Sequence, residues 1–481
     1  MMGHDDFQRF GIRVAFLSFV VGALLLPAGA PAASISVTTV EDSSPSATKC
    51  TFRQAVSAAQ TDTAVAGCAE GDGNDTILLG EGTYETAPGL SEDGNLSGDF
   101  DVLGSDALVI KPRSSGDRVT ISGGDRNRVI QHLGTGLLSL ENLTVTRGRE
   151  NASGFESGFG GGVYSDGPLQ LSGVTVFDNS SGIAGGGVYA SGGLEAVNST
   201  FTQNSSGGSG GGIKVAGSEL STMRSITIAR NSAATGGAGL SVDSVSSNES
   251  IPAIVRLSNV LLADNTGTNE CEADEYLEAR LLMTTAKLGP RVDCIESGPD
   301  DNIVRISDSG LGTLDTNGQT PTLELEPGSP AIRTGNVGGE LGCPSVDQLG
   351  HSRRRDSCDI GALRFSGSFP FRSLRLSGPK RMQPLGNKRS LYVAKLKTLF
   401  SGSGQATNGL LCLKPGAWKK VVRVRGKLCR QLPKLDKDIS KVTAFKFVRK
   451  SALKNRPTTV RFSLSAPRFE KRVIRTRLKR P

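Results

Sequence analysis

Short segments of alternating apolar and polar residues recur through the middle of the chain, separated by glycine-rich runs. In Leu169–Leu171 (LQL) the apolar side chains fall on every second position, the period of a half-buried β-strand. The run Gly160–Tyr164 (GGGVY) returns 25 residues later at 185–189, and returns as GGGI at 210–213. A fixed period near 25 residues, with short β-like segments in each unit, is typical of a solenoid.

A second series of β-like segments keeps the same period, and an asparagine follows each member closely. The segments are 174–176, 199–201, 226–228 and 260–262, and the asparagines are Asn179, Asn204, Asn231 and Asn265. Asparagine tolerates a left-handed turn, and its amide can hydrogen-bond to the asparagine of the next coil. We expect Gly161, Gly186 and Gly211 to stand in one column at a tight corner, where glycine runs supply positive φ angles.

These patterns predict an all-β chain whose central part, 76–320, is a right-handed parallel β-helix. Helical repeats are excluded because no segment here shows the i, i+3, i+4 apolar stripe of a helix. A β-propeller needs about 40–45 residues per blade, which is longer than this period. With about 25 residues per coil, the region would form roughly nine or ten coils and a rod about 45 Å long.

The segment 1–33 has the pattern of a secretory signal. Arg9 and Arg13 precede a run of 13 apolar residues, Val14–Leu26, and small residues with an Ala-x-Ala cleavage pattern follow. Such a run is shorter than the ~20 residues that span a bilayer, so no transmembrane span is predicted. The strand edges at the two ends of the rod need covering, and we expect 34–75 and 321–365 to cover them.

Eight cysteines agree with export to an oxidising compartment. Neighbour pairing is favoured among the many connectivities that eight thiols allow, because each couple lies within one apparent structural unit. The predicted structural disulfides are Cys50–Cys68, Cys271–Cys294, Cys343–Cys358 and Cys412–Cys429. The sequence lacks the Cys-x-x-Cys spacing of a thiolate metal site. Because its histidines lie only at 4, 132 and 351, we predict no metal site and no cofactor.

Two stretches resemble known families. The segment Cys50–Ala55 (CTFRQA) resembles the Cys-Ser-Leu-Arg-Glu-Ala motif of the CSLREA domain, which begins many secreted β-helix proteins. Four later segments resemble, in order, the choice-of-anchor Q segment: Gly318–Thr322, Pro327–Ile332, Asp347–Gly350 and Cys358–Ala362. That segment closes such β-helices in bacterial surface and secreted proteins, including relatives of polymorphic outer-membrane proteins. The resemblance covers about 46–365 and implies a secreted or surface β-helix, without carrying over any catalytic residue.

The C-terminal part, 366–481, has alternating strands of its own. In 460–465 the apolar Val460, Phe462 and Leu464 face one way, while the residues between them are polar or charged. Seven such runs, separated by Gly, Pro and Asn, predict an immunoglobulin-like β-sandwich. The pattern resembles that of CARDB-like domains.

Charge divides the chain into two unlike parts. Residues 366–481 hold 31 Lys and Arg against 3 Asp and Glu, a net charge of +28, while 1–365 hold 24 against 44, a net charge of −20. A domain this basic attracts polyanions, so the predicted partner is an anionic cell-envelope polymer or polysaccharide. The basic residues of this domain lack the interleaved aromatic residues expected of a base-stacking platform, so no specific nucleic acid is predicted.

Candidate catalytic groups are scattered along the sequence. A glycosidase needs two carboxylates about 5–9.5 Å apart, but Asp178 and Asp264 occupy corresponding turns three coils apart, with Glu195 nearby. A lyase needs a basic group beside an acidic, calcium-binding cluster. Lys214 and Arg230 have suitable positions, yet no acid-rich partner stands near them in the sequence. No catalytic residue is therefore assigned.

The sequence favours a secreted or cell-surface, noncatalytic β-helix protein. In this hypothesis the basic domain retains the protein on the envelope, and a monomeric rod serves adhesion or carbohydrate contact. A polysaccharide lyase or hydrolase with a groove on the rod is the alternative, and a structural cell-wall protein is the third hypothesis.

Overall fold

The computed structural model describes residues 33–42, 48–89, 92–151, 158–243, 253–273, 309–338, 341–354 and 358–366 with their side chains, and further strands after 276 by their backbone alone. All of them belong to one compact unit, Ala32–Pro481. The predicted secretory signal at 1–33 lies outside the described residues, apart from Ala33.

Three faces of parallel strands wind around a common interior. Face A comprises Ser34–Ser36, Asp75–Leu79, Leu108–Pro112, Leu138–Glu141, Leu169–Ser172, Leu194–Val197, Ser221–Arg224, Val255–Ala263, Leu277–Thr284 and Ile303–Ile306. Face B comprises Gly82–Glu85, Val119–Ser122, Thr144–Thr146, Thr175–Phe177, Thr200–Thr202 and Thr227–Ala229, and it joins face A through the long strand Val255–Ala263. Face C comprises Phe100–Val102, Ile130–His132, Val163–Ser165, Val188–Ala190, Ile213–Ala216, Leu240–Asp243 and Cys271–Ala273.

Each strand pairs with the equivalent strand one coil away, in parallel register. Leu169, for example, lies between Leu138 and Leu194 on face A. A fourth, short ladder follows face B and consists of Arg149–Glu150, Ser180–Ser181, Ser205–Ser206 and Ser232–Ala233. The predicted parallel β-helix is confirmed by this pairing, while its right-handed winding stays a prediction.

Alternation along each strand places one apolar column per face in the interior. On face B the inward residues are Val145, Val176, Phe201 and Ile228, all fully buried. On the outside the same strands carry threonines in register, Thr144, Thr175, Thr200 and Thr227. Burial of such apolar columns is the main stabilising contribution, about 25 cal/mol per Å² removed from water.

The glycine runs serve two different purposes at the corner before face C. The first glycine of each run, as in Gly185 with φ +68°, adopts the left-handed conformation. The second glycine has no room for a side chain. A Cβ on Gly161 would lie 2.2 Å from the Ser180 carbonyl oxygen, and the equivalent distances at Gly186 and Gly211 are both 2.1 Å. Glycine is therefore needed at the first position of each run for its positive φ angle, and at the second position for the close approach of the neighbouring backbone.

The asparagines after face B form a hydrogen-bonded ladder through the interior. Asn179 Nδ2 donates to Asn204 Oδ1 at 2.9 Å, Asn204 Nδ2 donates to Asn231 Oδ1 at 3.0 Å, and Asn231 Nδ2 donates to Asn265 Oδ1 at 2.9 Å. Each amide oxygen also accepts the backbone N–H of the preceding asparagine. The ladder satisfies buried polar groups at the turn, where the backbone leaves the sheet.

One helix departs from the all-β expectation. It spans Phe52–Thr61 and begins with a capping box, in which the Thr51 hydroxyl accepts from the Gln54 backbone and the Gln54 side chain accepts from the Thr51 backbone. The helix contacts strands Ser34–Ser36, Asp75–Leu79 and Phe100–Val102, and Phe52 packs 4.5 Å from the Phe100 ring. Within the described ranges, no helix is long and apolar enough to cross a bilayer.

The sequence predicted that 321–365 cover an end of the rod, and this stays a prediction. The described part of the segment 309–366 contacts the side of the rod at face B. We call its described residues, 309–338, 341–354 and 358–366, the strap. It begins with an antiparallel hairpin of Leu311–Asp315 and Thr322–Leu325, which spans the predicted domain boundary at 320. The Gln348 side chain then donates to the hydroxyl of Thr175 at 2.7 Å and accepts from that of Thr200 at 2.6 Å.

Further contacts extend the strap over neighbouring coils. The Ala362 backbone N–H donates to the Thr227 hydroxyl at 3.0 Å, and the Ser258 hydroxyl donates to the Leu341 carbonyl at 2.6 Å. Arg353 binds the carbonyls of Gly361 and Ala362 and the side-chain oxygen of Asn198. The strap thus binds the buried outward threonines Thr175, Thr200 and Thr227 of face B, and it contacts four consecutive coils.

Two of the predicted disulfides, Cys50–Cys68 and Cys343–Cys358, are confirmed. Cys271 is also disulfide-bonded, while its predicted partner Cys294 lies outside the described residues. Cys412 and Cys429 lie directly opposite each other on antiparallel strands, which fits the predicted disulfide. The bond itself stays a prediction, because these strands are described by their backbone alone.

The basic C-terminal part contains two antiparallel sheets. One comprises Ser373–Ser377, Leu391–Ser401, Ser440–Arg449 and Val422–Arg425. The other comprises Arg381–Met382, Phe469–Leu478, Thr458–Ala466, Leu410–Lys414 and Cys429–Gln431, and its first pair is parallel. The immunoglobulin-like topology remains a prediction.

Candidate functional site

Face C carries a row of polar and aromatic side chains on its outer surface. Inward residues such as Val163 and Val188 alternate with outward ones, so register places the outward residues one coil apart. In order along the rod they are Asp101, Gln131, Tyr164, Tyr189, Lys214, Ser241 and Glu272. Two residues further along each strand, a second row contains Asp166, Ser191, Ala216 and Asp243.

We call Tyr164, Tyr189, Asp166, Ser191, Lys214 and Asp243 the face C patch. Its centre is aromatic. The rings of Tyr164 and Tyr189 stack with centroids 5.3 Å apart and planes within 4°, and Phe159 packs 4.9 Å from Tyr189. The Arg128 guanidinium covers the other side of Tyr164 at 5.0 Å. Tyr164 is therefore buried, while Tyr189 stays half-buried.

An exposed carboxylate borders this stack. Asp166 accepts a hydrogen bond from the Tyr164 hydroxyl at 2.9 Å and another from the Ser191 hydroxyl at 2.5 Å. Burial raises the pKa of Tyr189, and the negative charges of Asp166 and Asp243 raise it further. The charge next to the half-buried ring is thus negative.

Lys214 has an acidic partner that its sequence neighbourhood did not reveal. Its ammonium pairs with the Asp243 carboxylate, which is 29 residues away, and also donates to the hydroxyls of Ser241 at 3.0 Å and Ser209 at 3.2 Å. Three acceptors match the three donors of an ammonium group. Lys214 therefore links Asp243, Ser241 and Ser209 through its side chain.

Arg230 and the acidic candidates each bind another residue of the rod or the strap. Arg230 donates to the carbonyls of Leu311 and Gly312 and so holds the strap. Asp178 and Asp264 both occupy left-handed turn positions, with φ +53° and +59°. Asp178 pairs with Arg149 at 2.9 Å, and Asp264 accepts from the Ser309 hydroxyl. Glu195 lies on face A, away from both, and accepts from Gln170.

At the N-terminal end of face C, the loop 92–99 covers a buried carboxyl group. The Asp101 side chain is fully buried, its Oδ2 accepts from the Asn95 N–H at 2.7 Å, and its Oδ1 has no hydrogen-bond partner among the described residues. Burial raises the pKa of Asp101 to about 8, and the charges of Asp99 and Glu92 act in the same direction, while the Asn95 hydrogen bond and Arg53 oppose them.

Replacing Asp101 with asparagine is expected to remove a pH dependence of stability. A carboxyl group with a raised folded-state pKa favours folding when protonated, so the free energy of unfolding falls as pH rises from 3.8 toward about 8. The fall has a slope of at most about 1.4 kcal/mol per pH unit. Asp101→Asn keeps an acceptor for Asn95, so between pH 7 and 9, above the range in which His132 titrates in either state, its urea midpoint should stay level while that of the native chain declines. The exposed control Asp106→Asn should follow the native chain. If the urea midpoint changes equally with pH in Asp101→Asn, Asp106→Asn and the native chain, the prediction is contradicted.

Metal-ligating residues do not converge in the part of the chain that the structure describes: no group of three or more His, Cys, Asp or Glu is suited to a metal ion. His132 lies inside the rod, with Nδ1 2.8 Å from the Ser165 hydroxyl, and burial lowers its pKa to about 4. A neutral imidazole packed in the interior has a structural role.

No protein-family model and no curated protein sequence matches this chain. Among solved structures, that of pectate lyase Pel9A is similar with a TM-score of 0.32 and 15% identity, over 66% of this chain and 92% of that chain. A β-glucosidase from Listeria innocua gives a TM-score of 0.15 and 10% identity, over 33% of this chain and 24% of that chain. Scores this low carry no argument about what the chain binds or does.

Proposed function

We propose that the protein is an extracellular, noncatalytic β-helix rod that its basic C-terminal part retains on an anionic cell-envelope polymer. In this proposal the rod makes contact with carbohydrate through face C, and the molecule acts as a monomer in adhesion. The division of charge carries the proposal: a net +28 in 366–481 against a net −20 in the rest of the chain.

The disulfides fit the proposed location. Cys50–Cys68 fastens the segment before the helix, and Cys343–Cys358 closes a loop of the strap. Such bonds persist in oxidising surroundings outside the cell.

The described part of the rod supports a noncatalytic role. Lys214, Arg230, Asp178 and Asp264, which could have supplied an acid or a base, each bind another part of the rod or the strap. A general acid or base has to reach a substrate proton at hydrogen-bond distance, and these groups are already engaged. Incubation with anionic polysaccharides should therefore give no unsaturated products and no new reducing ends, and clear turnover would favour the lyase or hydrolase alternative.

Salt is expected to release the protein from isolated cell envelopes. At about 0.5–1 M ionic strength the screening length falls to a few Å, which removes attraction between exposed charges. The fraction in the supernatant, measured across a salt series, should rise steeply for the full chain. A matched chain that ends at residue 366 should stay in the supernatant, unbound to the envelopes, at every salt concentration. Retention of the full chain in 1 M salt, or equal retention of the shortened chain in low salt, would overturn the proposal.

A further inference from the structure

We propose that the face C patch binds a saccharide with free, protonated amino groups, such as a polymer of de-N-acetylated hexosamine. This inference rests on the proposed carbohydrate contact of the rod and names its ligand class. It differs from the ligand of the basic domain, because the two regions have opposite charge.

The solvent-facing charge of the patch is negative. Both cations near the stacked rings are buried: the side chains of Arg128 and Lys214 are 3% and 6% exposed. Asp166, in contrast, is exposed, and the Asp243 side chain is 39% exposed. An approaching ligand therefore meets carboxylates before it meets any cation, which disfavours uronic or phosphorylated sugars and favours an ammonium group.

The half-buried Tyr189 ring supplies the second part of the site. An aromatic ring packs against the apolar face of a pyranose and attracts a nearby cation. Ser191 and Ala216, which follow Tyr189 and Lys214 by two positions in the second row, have small side chains. A sugar ring can approach the exposed part of Tyr189 over them.

The carboxylates are held in place before any ligand arrives. Asp166 is fixed by the hydroxyls of Tyr164 and Ser191, and Asp243 is fixed by Lys214. A carboxylate has about four lone-pair sites, so Asp166 keeps acceptor capacity for an ammonium group. Asp166 and Asp243 are three coils apart, about 14 Å along the rod, which allows one short oligosaccharide to contact both with Tyr189 between them.

Binding of defined tetrasaccharides to the full chain tests the inference. Calorimetry at 0.15 M salt would compare glucosamine tetramer, its fully N-acetylated form and cellotetraose. The glucosamine tetramer should bind at least ten-fold more tightly than either neutral sugar. Asp166→Asn should weaken that binding about five-fold or more, and Tyr189→Leu, which keeps an apolar contact with Phe159, should weaken it similarly. The control Asp106→Asn removes an exposed carboxylate outside the patch and should change affinity less than two-fold.

The outcomes separate this inference from the proposed function. Equal, Tyr189-dependent binding of all three sugars would overturn the amino-sugar assignment and leave carbohydrate contact standing. Binding of none would overturn both the assignment and the carbohydrate contact, while salt release from envelopes would still report on the basic domain. An equal response of Asp166→Asn and Asp106→Asn would also overturn the assignment, as would displacement of the tetramer by poly-lysine at the same charge concentration, which would indicate nonspecific attraction.

Discussion

Replacing Arg53 with methionine is expected to lower the free energy of unfolding by about 3–5 kcal/mol, because it leaves a buried carboxylate without its cation. The Arg53 guanidinium grips Asp42, with Nη2 2.7 Å from Oδ2 and Nε 3.0 Å from Oδ1, and the two side chains are only 10% and 7% exposed. Its other hydrogen bonds go to the Asn95 side chain and to the carbonyls of Ser97, Gly98 and Asp99. Methionine fills similar space but has no donor.

Urea denaturation followed by circular dichroism, together with limited proteolysis of the segment before residue 100, would measure this loss. The control is Arg126→Met, which breaks the surface ion pair with Glu85, where the side chains are 42% and 38% exposed. That change should cost no more than about 1 kcal/mol. The double variant Asp42→Asn, Arg53→Met should recover part of the loss. If Arg53→Met and Arg126→Met prove equally stable, the buried pair does not stabilise the segment before residue 100.

Asn204→Ala is expected to destabilise the rod by about 3 kcal/mol, since it leaves more than one buried polar group unpaired. Asn204 is 1% exposed and is a middle rung of the ladder. Its Oδ1 accepts from the backbone and side chain of Asn179 at 3.1 and 2.9 Å, and its Nδ2 donates to Asn231 Oδ1 and to the Val176 carbonyl. Alanine removes all four of these side-chain hydrogen bonds.

The control for this ladder variant is Asn317→Ala. Asn317 is exposed and bonds only to Asp315 among the described residues, so its loss should be within about 0.5 kcal/mol. Asn204→Asp gives a second test, because the new carboxylate would face the oxygens of Asn231 and Val176. Asn204→Asp should lose more stability between pH 4 and pH 8 than Asn204→Ala, which keeps only the pH dependence of the native chain that Asp101 causes. Equal urea midpoints for Asn204→Ala and Asn317→Ala would contradict the role of the ladder.

Much of the rod follows from local sequence. The period-2 pattern and the 25-residue repeat specify which residues face inward, because neighbouring coils repeat one pattern of short strands. The helix Phe52–Thr61 was not anticipated, although Thr51 and Gln54 have the spacing of a capping box. Its existence depends on Phe52 packing against Phe100, which no periodicity reveals. The position of the strap likewise depends on Gln348 meeting Thr175, 173 residues earlier in the chain.

The face C patch could have been found in part. The tyrosine after the inward valine in both GGGVY runs has to point outward, one coil from its equivalent, so a stacked pair was implicit in the repeat. The low aromatic content of the whole chain argued against a sugar-binding platform, because a composition says nothing about whether the few aromatic residues lie close together. The pairing of Lys214 with Asp243 was beyond reach, since it depends on the register of strands separated by a longer loop.

A solenoid can fray, since each terminal coil has neighbours on one side only and can peel away by itself. The strap changes this for the coils that contain Thr175, Thr200, Thr227 and Ser258, because one segment is fastened to all of them. None of these coils can detach without breaking contacts that its neighbours share. Stretching forces on an anchored rod would thus be borne by a block of coils acting together.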